Sequence, residues 1–115
     1  MALVPDCIFC KIIIGEISAD VVFRNENVVA FNDLNPQAPT HVLLIPTLHT
    51  ENAAGVARNS ATITAALFLA ADEIATQRGL SGYRTVFNTG EAAGQSVFHA
   101  HLHLLGGRAM AWPPG

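Results

Sequence analysis

The sequence predicts an α+β domain: a mainly antiparallel sheet of about five strands, one long helix and a short N-terminal helix. Three observations support this fold. Short β-branched or aromatic runs at Val21–Arg24, Val28–Phe31, His41–Ile45 and Tyr83–Asn88 are bounded by turn residues. A single long stretch of helix formers covers Ser60–Arg78. The row His99-Ala100-His101-Leu102-His103-Leu104-Leu105 alternates polar and apolar residues at first, as a half-buried strand does.

The 115 residues suit one domain, 1–115, and are too few for two. Half are apolar and only 13% charged, a surplus that fits a buried subunit interface as well as a core. The net charge of −3 comes without a basic run, so nothing favours nucleic-acid wrapping or attachment to an anionic membrane. No apolar run approaches the roughly 18 residues of a membrane span, and the first residues lack the basic-then-apolar pattern of a signal peptide. The expectation is a soluble, cytoplasmic protein. The two cysteines, Cys7 and Cys10, are too few for a disulfide framework and are spaced like half a metal site.

Taken in order, residues 1–5 are expected to be flexible. Ile8–Ile14 is apolar without alternation and stops at Gly15, as a short helix or turn would. Val21–Arg24 and Val28–Phe31 flank Asn25-Glu26-Asn27, a hairpin-sized connection. Residues 32–40 contain Pro36 and Pro39 and must be irregular, since proline donates to no ladder and restrains its predecessor. His41–Ile45 is a third strand, halted by Pro46. The long helix has Asn59 or Ser60 as N-cap and Gly79 just beyond its end. Ile63, Leu67, Ala70, Ala71 and Ile74 form its core stripe. Phe68 and Leu69 lie outside the stripe, which leaves either deep burial or a second face against a partner subunit. Tyr83–Asn88 is the fourth strand, Thr89–Ser96 a glycine-bearing loop, and the histidine row the fifth strand.

On a strand, period two sends His99, His101 and His103 to one face while Ala100, Leu102 and Leu104 bury the other. Such a row can ligate a metal, or offer a neutral imidazole as nucleophile with neighbours to orient it. Cys7-Ile8-Phe9-Cys10 supplies two thiolates suited to tetrahedral zinc, which needs two more ligands. A reduced, empty pair or a redox pair has the same spacing.

Gly94–Leu104 resembles the signature of the histidine-triad (HIT) superfamily, His-φ-His-φ-His-φ-φ with φ apolar. Asn32–His41 and the closing Gly106–Gly115, ending Trp112-Pro113-Pro114-Gly115, resemble its branch of nucleotide-binding phosphoramidases, and the likeness runs from about Asp6 to the last residue. The resemblance implies hydrolysis of purine nucleoside 5′-phosphoramidates through a covalent nucleotidyl-histidine. His101 would be the nucleophile, with the His99 carbonyl holding its other ring nitrogen as a donor. His103 would contact the phosphate or leaving group. Ser96 and nearby loop N–H groups would meet the developing charge, although Ser96 could instead only end a turn. His41 matches a polar residue near the site, and Asp33 a ribose ligand. Asn88 matches a phosphate or ribose contact; Gln95 and Trp112 fall among the nucleotide-binding positions. Phe31, Leu34, Phe9 and Ile17 match the apolar residues around the base. The tail, 106–115, would join a homodimer and reach the partner's active site.

Zinc-containing relatives complete the cysteine pair with residues that correspond to His49 and His99, which implies one closed, structural Zn²⁺ per chain. Two alternatives stay open: a dinucleoside polyphosphate hydrolase with the same triad, and a nucleotide-sensing or scaffolding homodimer. Ser18 stands where the branch commonly has proline. Ala109 and Ala111 replace larger or polar tail residues, and these departures bear on substrate preference.

Overall fold

The computed structural model describes residues 3–115. Their elements run α1 (Ile8–Ile13), β1 (Val21–Arg24), β2 (Val28–Asn32), β3 (Thr40–Pro46), α2 (Ala53–Asn59), α3 (Ala61–Gln77), β4 (Tyr83–Phe87) and β5 (Leu102–Gly106). Every pairing is antiparallel and the sheet order is β1-β2-β3-β5-β4, the α+β architecture expected. Of the N-terminal residues expected to be flexible, Met1 and Ala2 lie outside the described residues. Val4 is tied to α1 by hydrogen bonds to Cys10 Sγ and from the Cys7 N–H.

Each face of the sheet is covered by a different part of the chain. On one, Val28, Ala30, Val42, Leu44, Leu102 and Leu104 pack against Val56 of α2 and Leu67, Ala70, Ala71 and Ile74 of α3. On the other, Val29, Phe31, Leu43 and Ile45 meet Phe9 and Ile12 of α1. β3 is therefore buried on both sides, which is why Val42–Ile45 is continuously apolar instead of alternating. His41 and His103 lie on the α1 side, because His103 pairs with Leu43 and His41 with Leu105.

α3 begins where Ser60 Oγ accepts from the Ile63 N–H, so Ser60, of the two candidates, is the cap. It ends in a Schellman motif, with Gly79 left-handed at φ 65° and the Leu80 N–H bonded to Ala75 O. Ile63 of the expected stripe is only half-buried, and Ala75 joins the core instead. Phe68 is 45% and Leu69 70% exposed, so deep burial of the whole helix does not occur within one chain.

Two features differ from the sequence expectation. Residues 53–59 form an additional helix, α2, capped by Asn52 Oδ1 accepting from the Gly55 N–H. With Gly55 inside it and Val56 as its single buried residue, it had neither the propensity nor the periodicity to be predicted. The histidine row is also not one strand: β5 starts at Leu102, and His99 and His101 precede it. Pro46 offers this ladder no N–H, and its carbonyl accepts from His99 Nε2 at 2.9 Å. The Ala100 N–H turns to Thr50 O at 2.6 Å.

Candidate active site and metal cluster

The break before β5 gives each histidine a different set of partners. His101 Nδ1 donates to the His99 carbonyl at 2.9 Å, which fixes the ring proton there and leaves Nε2 with a free lone pair. The edge of Phe9 packs against the ring, centroids 5.1 Å apart, and His103 lies at the same distance. His101 is thus buried and oriented, its Nδ1 held by the carbonyl and its Nε2 the nitrogen that carries the lone pair in the neutral ring.

A second chain of hydrogen bonds sets the neighbouring proton positions. The Gln37 N–H donates to His41 Nδ1 at 3.0 Å, so the proton of neutral His41 is on Nε2. That nitrogen lies 2.9 Å from His103 Nδ1 and 3.3 Å from Asp33 Oδ2. Donation to His103 Nδ1 puts the His103 proton on its own Nε2, a buried atom with no partner among the described residues. Burial, together with the charges of His101 and His41, lowers the His103 pKa from 6.5 to about 4, so this ring is a neutral donor at pH 7. Burial also lowers the His41 pKa, against an opposing pull from Asp33. Asp33, His41 and His103 lie close enough to suggest a metal site. The Gln37 N–H argues against one, since His41 Nε2 would have to lose its only proton to ligate.

Cys7, Cys10, His49 and His99 form a separate cluster, with their donor atoms all within 4.8 Å of one another. His99 gives its Nε2 proton to Pro46 O and turns a bare Nδ1 toward Cys7 Sγ at 3.5 Å and Cys10 Sγ at 3.6 Å. His49 Nδ1 is 3.3 Å from Cys10 Sγ. Zn–S bonds of about 2.3 Å and Zn–N bonds of about 2.0 Å put S and N roughly 3.5 Å apart in a tetrahedron, so this donor set fits zinc. Burial holds His99 near a pKa of about 4, neutral as a ligand must be, and pushes the Cys10 thiol up. A cation at the sulfurs would counter that cost and favour the thiolate.

The other expected residues fall at varied distances from His101. Phe31 is buried and stacks edge-on with Phe9 at 5.7 Å. Asn88 follows β4, and continuing the β4–β5 register by one step places it opposite His101. Ile17 and Leu34 are exposed, Leu34 completely. The carboxamide of buried Gln95 is engaged with the Gly90 N–H and the Glu51 and Val97 carbonyls, which ties the 90–97 loop to the segment before α2. Exposed Ser96 lines a cleft of about 430 Å³ beside Cys7 and His49. Trp112 is 83% exposed and lines a surface cleft with β4, Pro114 and Gly115. The Gln37 N–H and the His99 and Pro46 carbonyls were not singled out from sequence for orienting rings within the fold, apart from the His99 carbonyl implied by resemblance. Main-chain atoms have no residue-type signature.

The fold and site define a class: an antiparallel α+β domain with an oriented histidine beside a Cys₂His₂ cluster. Comparisons with known proteins agree: the HIT domain model matches residues 14–110. The chain is 49% identical over 112 residues to the 14 kDa zinc-binding protein of Zea mays, covering 94% of this chain and 87% of that protein. It is 45% identical over 112 residues to the adenylylsulfatase HINT1 of Arabidopsis thaliana, covering 94% and 76%. The crystal structure of a HIT family hydrolase from Legionella pneumophila superimposes with a TM-score of 0.91 at 50% identity, covering 96% of this chain and 100% of that one. The chain belongs to the HIT family.

Proposed function

We propose that this protein hydrolyses the P–N bond of purine nucleoside 5′-phosphoramidates through a nucleotidyl intermediate on His101. The observation that carries the reading is the pairing of two differently protonated nitrogens: a bare His101 Nε2 and a buried, unpartnered His103 Nε2–H. The first can attack phosphorus without shedding a proton, and the second can donate to a phosphoryl oxygen as charge grows there. Attack forms the His101–P bond and breaks the P–N bond. The amine leaves with the electron pair and takes a proton from the medium. Water then cleaves the His101–P bond, releasing the nucleoside monophosphate and restoring neutral imidazole.

Asp33 and Asn88 take the ribose and phosphate, and Phe9, Phe31, Ile17 and Leu34 surround the base. Ser96 and its loop add donors, and Gln95 shapes that loop. The Arabidopsis relative's name suggests a second substrate for the same attack, an adenylyl sulfate with sulfate as leaving group. His101→Ala should lower turnover roughly 10³-fold or more while the fold persists. Near-normal hydrolysis of an adenosine phosphoramidate by that variant would falsify the assignment. Rates on the phosphoramidate, adenylyl sulfate and a dinucleoside polyphosphate identify the leaving group, and negligible rates on all three favour the nucleotide-sensing role.

Zinc held by Cys7, Cys10, His49 and His99 is structural in this reading: it joins the α1 segment to the His99 bend and supplies no step of the reaction. Elemental analysis of protein purified without added metal should give about one zinc per chain. The free thiols suit a reducing, cytoplasmic setting. Among the described residues, no helix is long and apolar enough to cross a membrane. The open edge of β4, with Phe68 and Leu69 exposed on α3, supports a homodimer in which the tail reaches a partner's site.

A further inference from the structure

We propose that Arg108 is a positioning residue that sets the direction of the His41–His103 hydrogen bond by holding Gln37. Arg108 lies beyond β5 and touches none of the histidines. Its Nε donates to Gln37 O at 3.0 Å, and its Nη1 braces the Ala109 carbonyl at 3.0 Å. Gln37 is exposed, in the irregular segment between β2 and β3, and its N–H is the donor to His41 Nδ1. The same turn grips that segment again at Gly107, where an added Cβ would stand 2.9 Å from Pro39 Cβ.

The direction matters because an imidazole pair can be wired two ways. With the Gln37 N–H in place, His41 carries its proton on Nε2 and passes a hydrogen bond to His103 Nδ1, leaving the His103 proton on its buried Nε2. With that N–H displaced, His41 can hold its proton on Nδ1 and accept at Nε2 from His103 Nδ1–H. His103 Nε2 then becomes a lone pair aimed where an anionic phosphoryl oxygen must sit. Asp33 Oδ2, 3.3 Å from His41 Nε2, favours the first wiring as an acceptor, and Arg108 adds to that preference by fixing the Gln37 backbone. Gln37 Nε2 donating to Asn35 O at 3.0 Å supports the loop from within.

The consequence for turnover rests on the assignment of His103 to the substrate phosphate; the wiring does not. Long-range ¹⁵N–¹H correlation spectra of the full chain, free of substrate, report which nitrogen of each imidazole is protonated. Wild type should show Nε2–H at both His41 and His103. Arg108→Met, which keeps the stem and removes the donors, should give a mixed population at His41 and His103, with kcat for an adenosine phosphoramidate down roughly tenfold and KM little changed. Arg108→Lys, which retains one donor for Gln37 O, should recover the wild-type spectrum. Unchanged tautomers in the folded Arg108→Met protein overturn the proposal, as does failure of lysine to recover them. Shifted and rescued tautomers with unchanged turnover support the positioning role and overturn the His103 assignment instead.

Discussion

At the scale of single residues, burial lowers the pKa of His41, His99 and His103. The clearest case is His103, which titrates near 6.5 when unfolded and near 4 when folded, because burial disfavours its charge. Between those values the unfolded chain binds more protons, so stability falls as pH drops through the window and gains nothing from this residue above it. Urea midpoints measured from pH 7 to pH 4 should decline, and His103→Gln should flatten the decline. An equal slope in the variant would assign the acid sensitivity to other groups. The sequence set His101 and His103 in one row, and their rings lie 5.1 Å apart; the nucleophile's role is what the resemblance implies. Of the proton positions, the hold of the His99 carbonyl on His101 Nδ1 was implied by the resemblance and is present, whereas those of His41 and His103 depend on the Gln37 N–H, which every residue type but proline supplies.

At the scale of elements, legibility followed length and period. The 17-residue α3 and the apolar β3 declared themselves through capping residues and continuous hydrophobicity. α2 did not, since one buried valine makes no period. The histidine row was read as strand from its alternation, yet alternation describes side chains and not ladder partners; Pro46 across the sheet ended the strand at Leu102. α3 should be the main support of the sheet, as Leu67 is fully buried between it and the strands. Leu67→Ala should cost about 3 kcal/mol in chemical denaturation through lost burial and the cavity left behind. Ser60→Ala, which removes the cap on Ile63, should cost about 1 kcal/mol.

At the scale of the whole molecule, the α1 segment and the His99 bend are far apart in sequence and adjacent in space, joined by the four-residue cluster. Chelation should lower the thermal midpoint by at least about 5 °C if the cluster holds zinc, read by calorimetry with and without added metal. An unchanged midpoint would mean that packing of Phe9 and Ile12 suffices. The exposed pair on α3 and the free β4 edge predict a mass near twice 12.2 kDa in sedimentation, and Leu69→Glu should weaken association roughly tenfold or more. The apolar surplus of the composition left room for a partner, and the Cys7–Cys10 spacing for half a metal site; His49 and His99, which the structure gathers with them, came only with the resemblance.

His99 serves two neighbours with two different parts of itself: its ring faces the sulfurs and its carbonyl holds His101. The ring is encoded by one codon and can be lost by a single substitution, whereas the carbonyl belongs to every amino acid. Such a chain can therefore drift away from its metal one ligand at a time and still pass on a correctly protonated nucleophile, provided the bend at residue 99 keeps its course.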